Sequence, residues 1–171
     1  METLKRYIRV VDHISDRVGL ASSILIPAMT LVLLCEVVAR YLFQRPTIWA
    51  FDLAVFMFGY CGLLAGPYVL KRNEHINVDL VYAQLSQRWK AIMDVITGLL
   101  FFFFIVLVIL YCSEAAYSSL IFGDRRPSEW GPPIGHYKLL IPVGAFLLLL
   151  QGLANWIRNL YLAITGKEMI L

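Results

Sequence analysis

Two acids and two arginines, Glu36, Arg40, Arg45 and Asp52, lie in the stretch EVVARYLFQRPTIWAFD (residues 36–52), and long uncharged runs flank it on both sides. Carboxylates in such a setting raise the question of proton or ion translocation. A lone Asp or Lys at the centre of a membrane helix costs about 2.5 to 3.5 kcal/mol, so such residues usually pair or serve transport. The spacing favours pairing. Glu36 and Arg40 stand four apart, on one helical face and within reach of each other. Asp52 falls in the first turn of the next helix, where the helix dipole favours a carboxylate, and the neighbouring Trp49 suits an interface. Glu36, Arg40, Trp49 and Asp52 therefore read as a partnered polar cluster near the outer headgroups. In this reading Glu36, Arg40 and Asp52 fix the hairpin between the first two membrane helices.

Other residue types capable of chemistry are poorly placed for it. Cys35, Cys61 and Cys112 are single, odd in number and set in apolar runs without a C-x-x-C pair, so they read as small packing residues. His13, His75 and His136 all fall outside the spans, where an axial haem ligand would have to sit. No catalytic, substrate-binding or metal-binding residue is assigned, no cofactor is expected, and the chain does not read as an enzyme. An autonomous, multidrug-type proton-coupled transporter using Glu36 is the alternative. It is weakened by Arg40 one turn away and by the lack of repeated, short, Gly/Pro-broken segments of the kind that form midplane sites.

These residues are positioned by membrane helices. Hydrophobic residues make up 60% of the 171, charged residues 16%, and the mean hydropathy is +0.71, well outside the range of a soluble domain. The apolar surface is gathered into four runs, Val18 to Cys35, Leu53 to Leu70, Val95 to Ser113 and Leu139 to Ile157, the last with Gln151 and Asn155 as interior amides. Each is near the bilayer-spanning length of a helix, which favours helices over a barrel. The expected fold is an all-α membrane protein in which residues 1–171 form one four-helix unit with spans near 18–43, 48–71, 93–121 and 137–161. A short interfacial helix is expected between the second and third spans, with Ile76, Leu80, Ala83 and Trp89 on its apolar side. In the second span Gly59, Gly62 and Gly66 supply small packing positions, Gly62 and Gly66 at a G-x-x-x-G spacing.

The basic amino terminus is expected to remain attached, because the run after it is long enough to span and leads into charged EVVAR rather than a cleavage site. Ahead of that run, Tyr7, Ile8, Val10, Val11 and Ile14 alternate with charged residues at helical spacing, as in a helix lying on the membrane surface. Counting Lys and Arg near the helix ends gives ten against five in favour of both termini being cytoplasmic. The outer connection GDRRPSEWGPPIGHYK, rich in Gly, Pro, Arg and Trp, reads as an ordered loop without a helix.

EVVARYLF and PTIWAFDLAVFMFGYCGLLAGPYVLKRNEHINVDL, followed by Ser128, Trp130 and Pro133 and then LLIPVGAFLLLLQG, closely resemble the small membrane subunit (DctQ-like) of tripartite ATP-independent periplasmic, or TRAP, transporters. The resemblance spans roughly residues 18 to 155 and is most specific from Glu36 to Leu80. Family positions map onto Glu36, Arg40 and Tyr41, onto Trp49, and onto His75, Ile76, Val78 and Asp79. Where many members carry paired acids after the tryptophan, Phe51 and Asp52 stand here, so only one charge is kept.

The resemblance implies a multi-pass protein of the bacterial inner membrane, in contact with lipid and not with nucleic acid. Its partners would be a large permease subunit (DctM-like), which holds the sodium and substrate sites, and a periplasmic substrate-binding protein (DctP-like). The small subunit would act as scaffold in sodium-driven uptake of organic acids, with C4-dicarboxylates favoured by the wording of PTIWAFD. Arg45, Arg125, Arg126, Glu129 and Trp130 are then candidates for contact with the binding protein.

Overall fold

The computed structural model describes residues 2–72 and 86–166. All named elements are α-helices: α1 Glu2–Ser23, α2 Leu25–Tyr41, α3 Ala50–Lys71, α4 Gln87–Phe122 and α5 Gly135–Thr165. With α1 and α2 taken as one stretch, four helices among the described residues are long and apolar enough to cross a membrane. The interfacial helix expected between the second and third spans, including Ile76, Leu80 and Ala83, lies outside the described residues. Trp89 belongs instead to the first turn of α4, which starts six residues before the expected boundary.

The first span is broken. Pro27 has no N–H to donate to the Ser23 carbonyl, and its ring crowds the preceding turn. The chain answers with a turn at Ile24, whose N–H reaches the Ala21 carbonyl at 3.4 Å before α2 resumes. The segment before the break does more than lie on a surface, which corrects the sequence reading. Ile8, Val11, Ser15, Gly19 and Ser22 recur along one face of α1 and are all buried. Ile8 and Val11 pack against Ala154 of α5, so α1 is docked onto its own protein.

The helices form a row that folds back where α1 also touches α5. α1 and α2 lie on α3, α3 lies on α5, and α5 makes its most extensive contact with α4. Close approach along this row depends on small residues, since lipid supplies no hydrophobic drive between apolar helices. A methyl at Gly59 would sit 2.3 Å from the Tyr137 hydroxyl, and one at Gly66 would sit 2.9 Å from Leu148 Cδ1. Gly144 brings α5 against the backbone of α3, with the Leu63 carbonyl oxygen 3.1 Å from where its Cβ would be. Gly62 faces open space. The close contact with α5 thus runs through Gly59 and Gly66, two helical turns apart on one face, and not through the Gly62 and Gly66 pair.

At about 1.5 Å per residue the 36-residue α4 is roughly 54 Å long, against a hydrocarbon core of about 30 Å. Its end is fixed by Gly123, whose φ of 65° lets the Asp124 N–H return to the Ser119 carbonyl at 3.1 Å.

Candidate functional site

Many of the polar residues of the spans gather into two joints, one toward each end of α3. At the end that holds the α2–α3 turn, Glu36, only 8% exposed, has both carboxylate oxygens engaged. Oε1 accepts from Arg40 Nε at 3.1 Å and Nη2 at 2.7 Å. Oε2 accepts from the Thr47 N–H at 2.9 Å and from the Thr47 hydroxyl. Thr47 Oγ1 also receives the N–H of Ala50, the first residue of α3, at 3.4 Å, so one side chain ties the start of α3 to Glu36 of α2. Sequence reasoning missed Thr47, which stands three residues before α3 and so outside the N-cap position, held by Trp49, where a capping hydroxyl is sought.

Asp52 takes other partners. It is 2% exposed, accepts from the Ser128 hydroxyl through Oδ2, and pairs through Oδ1 with Arg126 Nε at 3.2 Å. Ser128 Oγ receives the Gly131 N–H at 3.2 Å, and the Arg126 guanidinium lies 5.7 Å from the centre of the Phe51 ring. Asp52 therefore fastens the α4–α5 loop to the start of α3. The expected cluster of Glu36, Arg40 and Asp52 divides into two, one for the α2–α3 hairpin and one for the α4–α5 loop. The Phe51 ring covers the same arginine.

The α4–α5 loop is stitched together further. The Arg126 N–H donates to the Pro132 carbonyl at 2.9 Å, the Ile134 N–H to the Asp124 carbonyl at 3.0 Å, and Arg125 Nη1 to the Gly131 carbonyl at 3.2 Å. The Lys138 ammonium donates to Asp124 at 2.9 Å and holds that carboxyl below the usual carboxylate range. Arg126 is partly buried by its pairing, whereas Arg45, Trp49, Arg125, Glu129 and Trp130 remain exposed.

At the opposite end lies a network that the sequence reading did not assemble. Asp12 of α1 accepts from Arg158 Nη2 and from Gln151 Nε2, the latter at 3.1 Å. Gln151, fully buried, accepts the Ser15 hydroxyl at 2.7 Å and donates to Asn155 at 3.1 Å. Asn155 also receives Arg158 Nη1 at 3.0 Å and donates to the Leu70 carbonyl at 2.7 Å. Lys71 closes the set on Asp16 at 2.6 Å. Three helices, α1, α3 and α5, meet through these side chains. The available signal was Gln151, Asn155 and Arg158 at i, i+4 and i+7, one polar stripe on an otherwise apolar helix.

Neither joint has the makeup of a reaction centre. Among the described residues no group of three or more His, Cys, Asp or Glu could hold a metal ion, and Cys35, Cys61 and Cys112 are separate free thiols. Two lateral grooves flank α3 and α5. One, of about 540 Å³, is bordered by the α1–α2 break; the other, of about 730 Å³, lies between α3, α4 and α5.

Residues 29–161 match the family model for the DctQ component of tripartite ATP-independent periplasmic transporters. The chain belongs to the DctQ family. It is thus a small TRAP permease subunit, a transporter component and not an enzyme, and a multi-pass protein of the inner membrane. This DctQ chain is 41% identical over 54 residues to the C4-dicarboxylate TRAP transporter small permease protein DctQ of Vibrio cholerae serotype O1, covering 32% of the chain and 23% of the relative. It is 27% identical over 78 residues to the sialic acid TRAP transporter permease protein SiaT of Haemophilus influenzae, covering 46% of the chain and 13% of that relative. In both cases the match spans less than a quarter of the curated relative's length.

Proposed function

We propose that this DctQ subunit is the fixed membrane scaffold of a TRAP transporter. It supports a large permease subunit in sodium-driven uptake of organic acids of the C4-dicarboxylate class, delivered by a periplasmic binding protein. Sodium and substrate bind the large subunit, and both termini of this chain are cytoplasmic. The observation that carries the reading is the full engagement of Glu36. Its two oxygens accept four hydrogen bonds from Arg40 and Thr47, so the intramembrane acid serves to join helices. The similarity to a small permease named for C4-dicarboxylate supports the substrate class. The much greater length of the sialic acid permease relative, of which the matched stretch is 13%, fits a larger membrane partner.

Glu36, Arg40, Trp49 and Asp52 act in assembly, with Gly59 and Gly66 as close-packing positions. The outer loop offers Arg125, Glu129 and Trp130, together with Arg45, to the binding protein, while Arg126 is already committed to Asp52. Co-purification with a large multi-helix permease from cells expressing the complete transporter tests the scaffold reading. Its failure in mild detergent, with the subunit itself intact, would contradict it. Charge reversal at Arg125 should lower uptake at limiting binding protein, and an unchanged rate would leave the loop as a simple turn.

A further inference from the structure

α1 crosses its neighbours instead of running along them. Tyr7 and Ser15 stand eight residues, about 12 Å, apart on α1, yet their hydroxyls donate to adjacent residues of α5, the Leu150 carbonyl at 3.1 Å and the Gln151 side chain at 2.7 Å. The helix then passes to α3, where Asp16 meets Lys71 and Gly19 lies close against Tyr68. Arg158 and Lys71 directly follow the uncharged runs of α5 and α3, and it is these two cations that Asp12 and Asp16 pair with. α1 thus lies across the ends of two spans, at the depth where headgroups begin.

Around this helix the residues sort by side. Ile8, Val11, Ser15 and Gly19 are buried against α5 and α3. At about 3.6 residues per turn, Arg6, Arg9 and Arg17 fall on the opposite side. All three are exposed, and none pairs with an acid among the described residues. With Asp12 and Asp16 committed to Arg158 and Lys71, Glu2 is the remaining acid of α1 against these three arginines, so the outward face is net positive. Beside the arginines, Val10 and Ile14 form an exposed apolar edge.

A cationic stripe edged by apolar side chains, held at headgroup depth, matches an amphiphile with a negative head. A zwitterionic lipid brings no net charge to the arginines, and a water-soluble anion would leave Val10 and Ile14 uncovered. We propose that the outward face of α1 binds anionic phospholipid, with Arg6, Arg9 and Arg17 on the phosphates and Val10 and Ile14 against the acyl chains. The site belongs to this chain alone and does not rest on the scaffold reading.

Native mass spectrometry of the full chain in mild detergent, offered phosphatidylglycerol and phosphatidylcholine in equal amounts, tests this. Phosphatidylglycerol should be retained in excess. Arg6→Gln, Arg9→Gln and Arg17→Gln should each lower that excess by about fivefold, the equivalent of about 1 kcal/mol for one basic side chain at an anionic surface. Arg6→Lys, Arg9→Lys and Arg17→Lys keep the charge and should keep most of the excess. Equal retention of the two lipids by the unaltered chain, or an excess that survives the three glutamine substitutions combined, would overturn the proposal. A loss with lysine as large as that with glutamine would overturn its electrostatic basis.

Discussion

Replacing Asp52 by alanine should loosen the α4–α5 loop from α3. The carboxylate is 2% exposed, whereas the Arg126 side chain keeps 26% exposure and can recover part of its hydration when the pair is lost. A fully buried pair broken on one side costs about 3 to 5 kcal/mol, and hydrogen bonds to charged groups are worth about 1.5 to 3. With Arg126 partly wet, about 2 kcal/mol is expected. For a chain of this length that corresponds to roughly 4 to 8 °C in the midpoint of thermal unfolding in detergent. Asp52→Asn should cost less, because an amide oxygen can still accept from Ser128. The informative assay pairs the unfolding midpoint with protease cleavage at Arg125, which should accelerate in Asp52→Ala and stay slow in a Glu36 variant. A midpoint shift under about 1 °C with unchanged cleavage would refute the assignment of Asp52 as the loop's anchor.

Three further outcomes follow from the same geometry. Arg40→Ala should cost less than about 1 kcal/mol, since that side chain is 55% exposed, whereas Glu36→Ala frees Thr47 as well and should cost about 2; equal midpoints for the two would count against Thr47 as the joint. Gln151→Leu removes the link between Ser15, Asp12 and Asn155 and should make a cysteine introduced at Ile8 react with maleimide severalfold faster, a release that an intact α1 contact would prevent. Gly144→Ala presses on the Leu63 backbone and should cost about 1 to 3 kcal/mol, while Gly62→Ala should leave the unfolding midpoint of the isolated subunit unchanged.

What was legible in the sequence was largely what lies within one helix. Uncharged length marks a span, so the four membrane segments could be read directly, and a spacing of four placed Glu36 beside Arg40. Pairing between helices left little trace. Asp52 meets Ser128, 76 residues away, and Asp12 meets Arg158, 146 residues away. In a soluble protein the apolar stripe of each helix would indicate which way it faces. In lipid both the packed and the outward faces are apolar, so hydrophobic periodicity does not fix rotation about the helix axis. The same ambiguity makes Gly62 look like a contact, when the close approach of α3 to α5 runs through Gly59 and Gly66. The docked α1 resembles a surface helix in sequence because its charged face, which includes Asp12 and Asp16, suits water as well as it suits Arg158 and Lys71.

The central claim is that this subunit holds a transporter together and carries no substrate itself. Sodium-driven uptake of a C4-dicarboxylate into proteoliposomes, measured with the large subunit and binding protein in the presence and absence of this chain, and with this chain alone, tests it most directly. Uptake is expected only when all three proteins are present. Transport by this chain alone that disappears in Glu36→Gln would contradict the account.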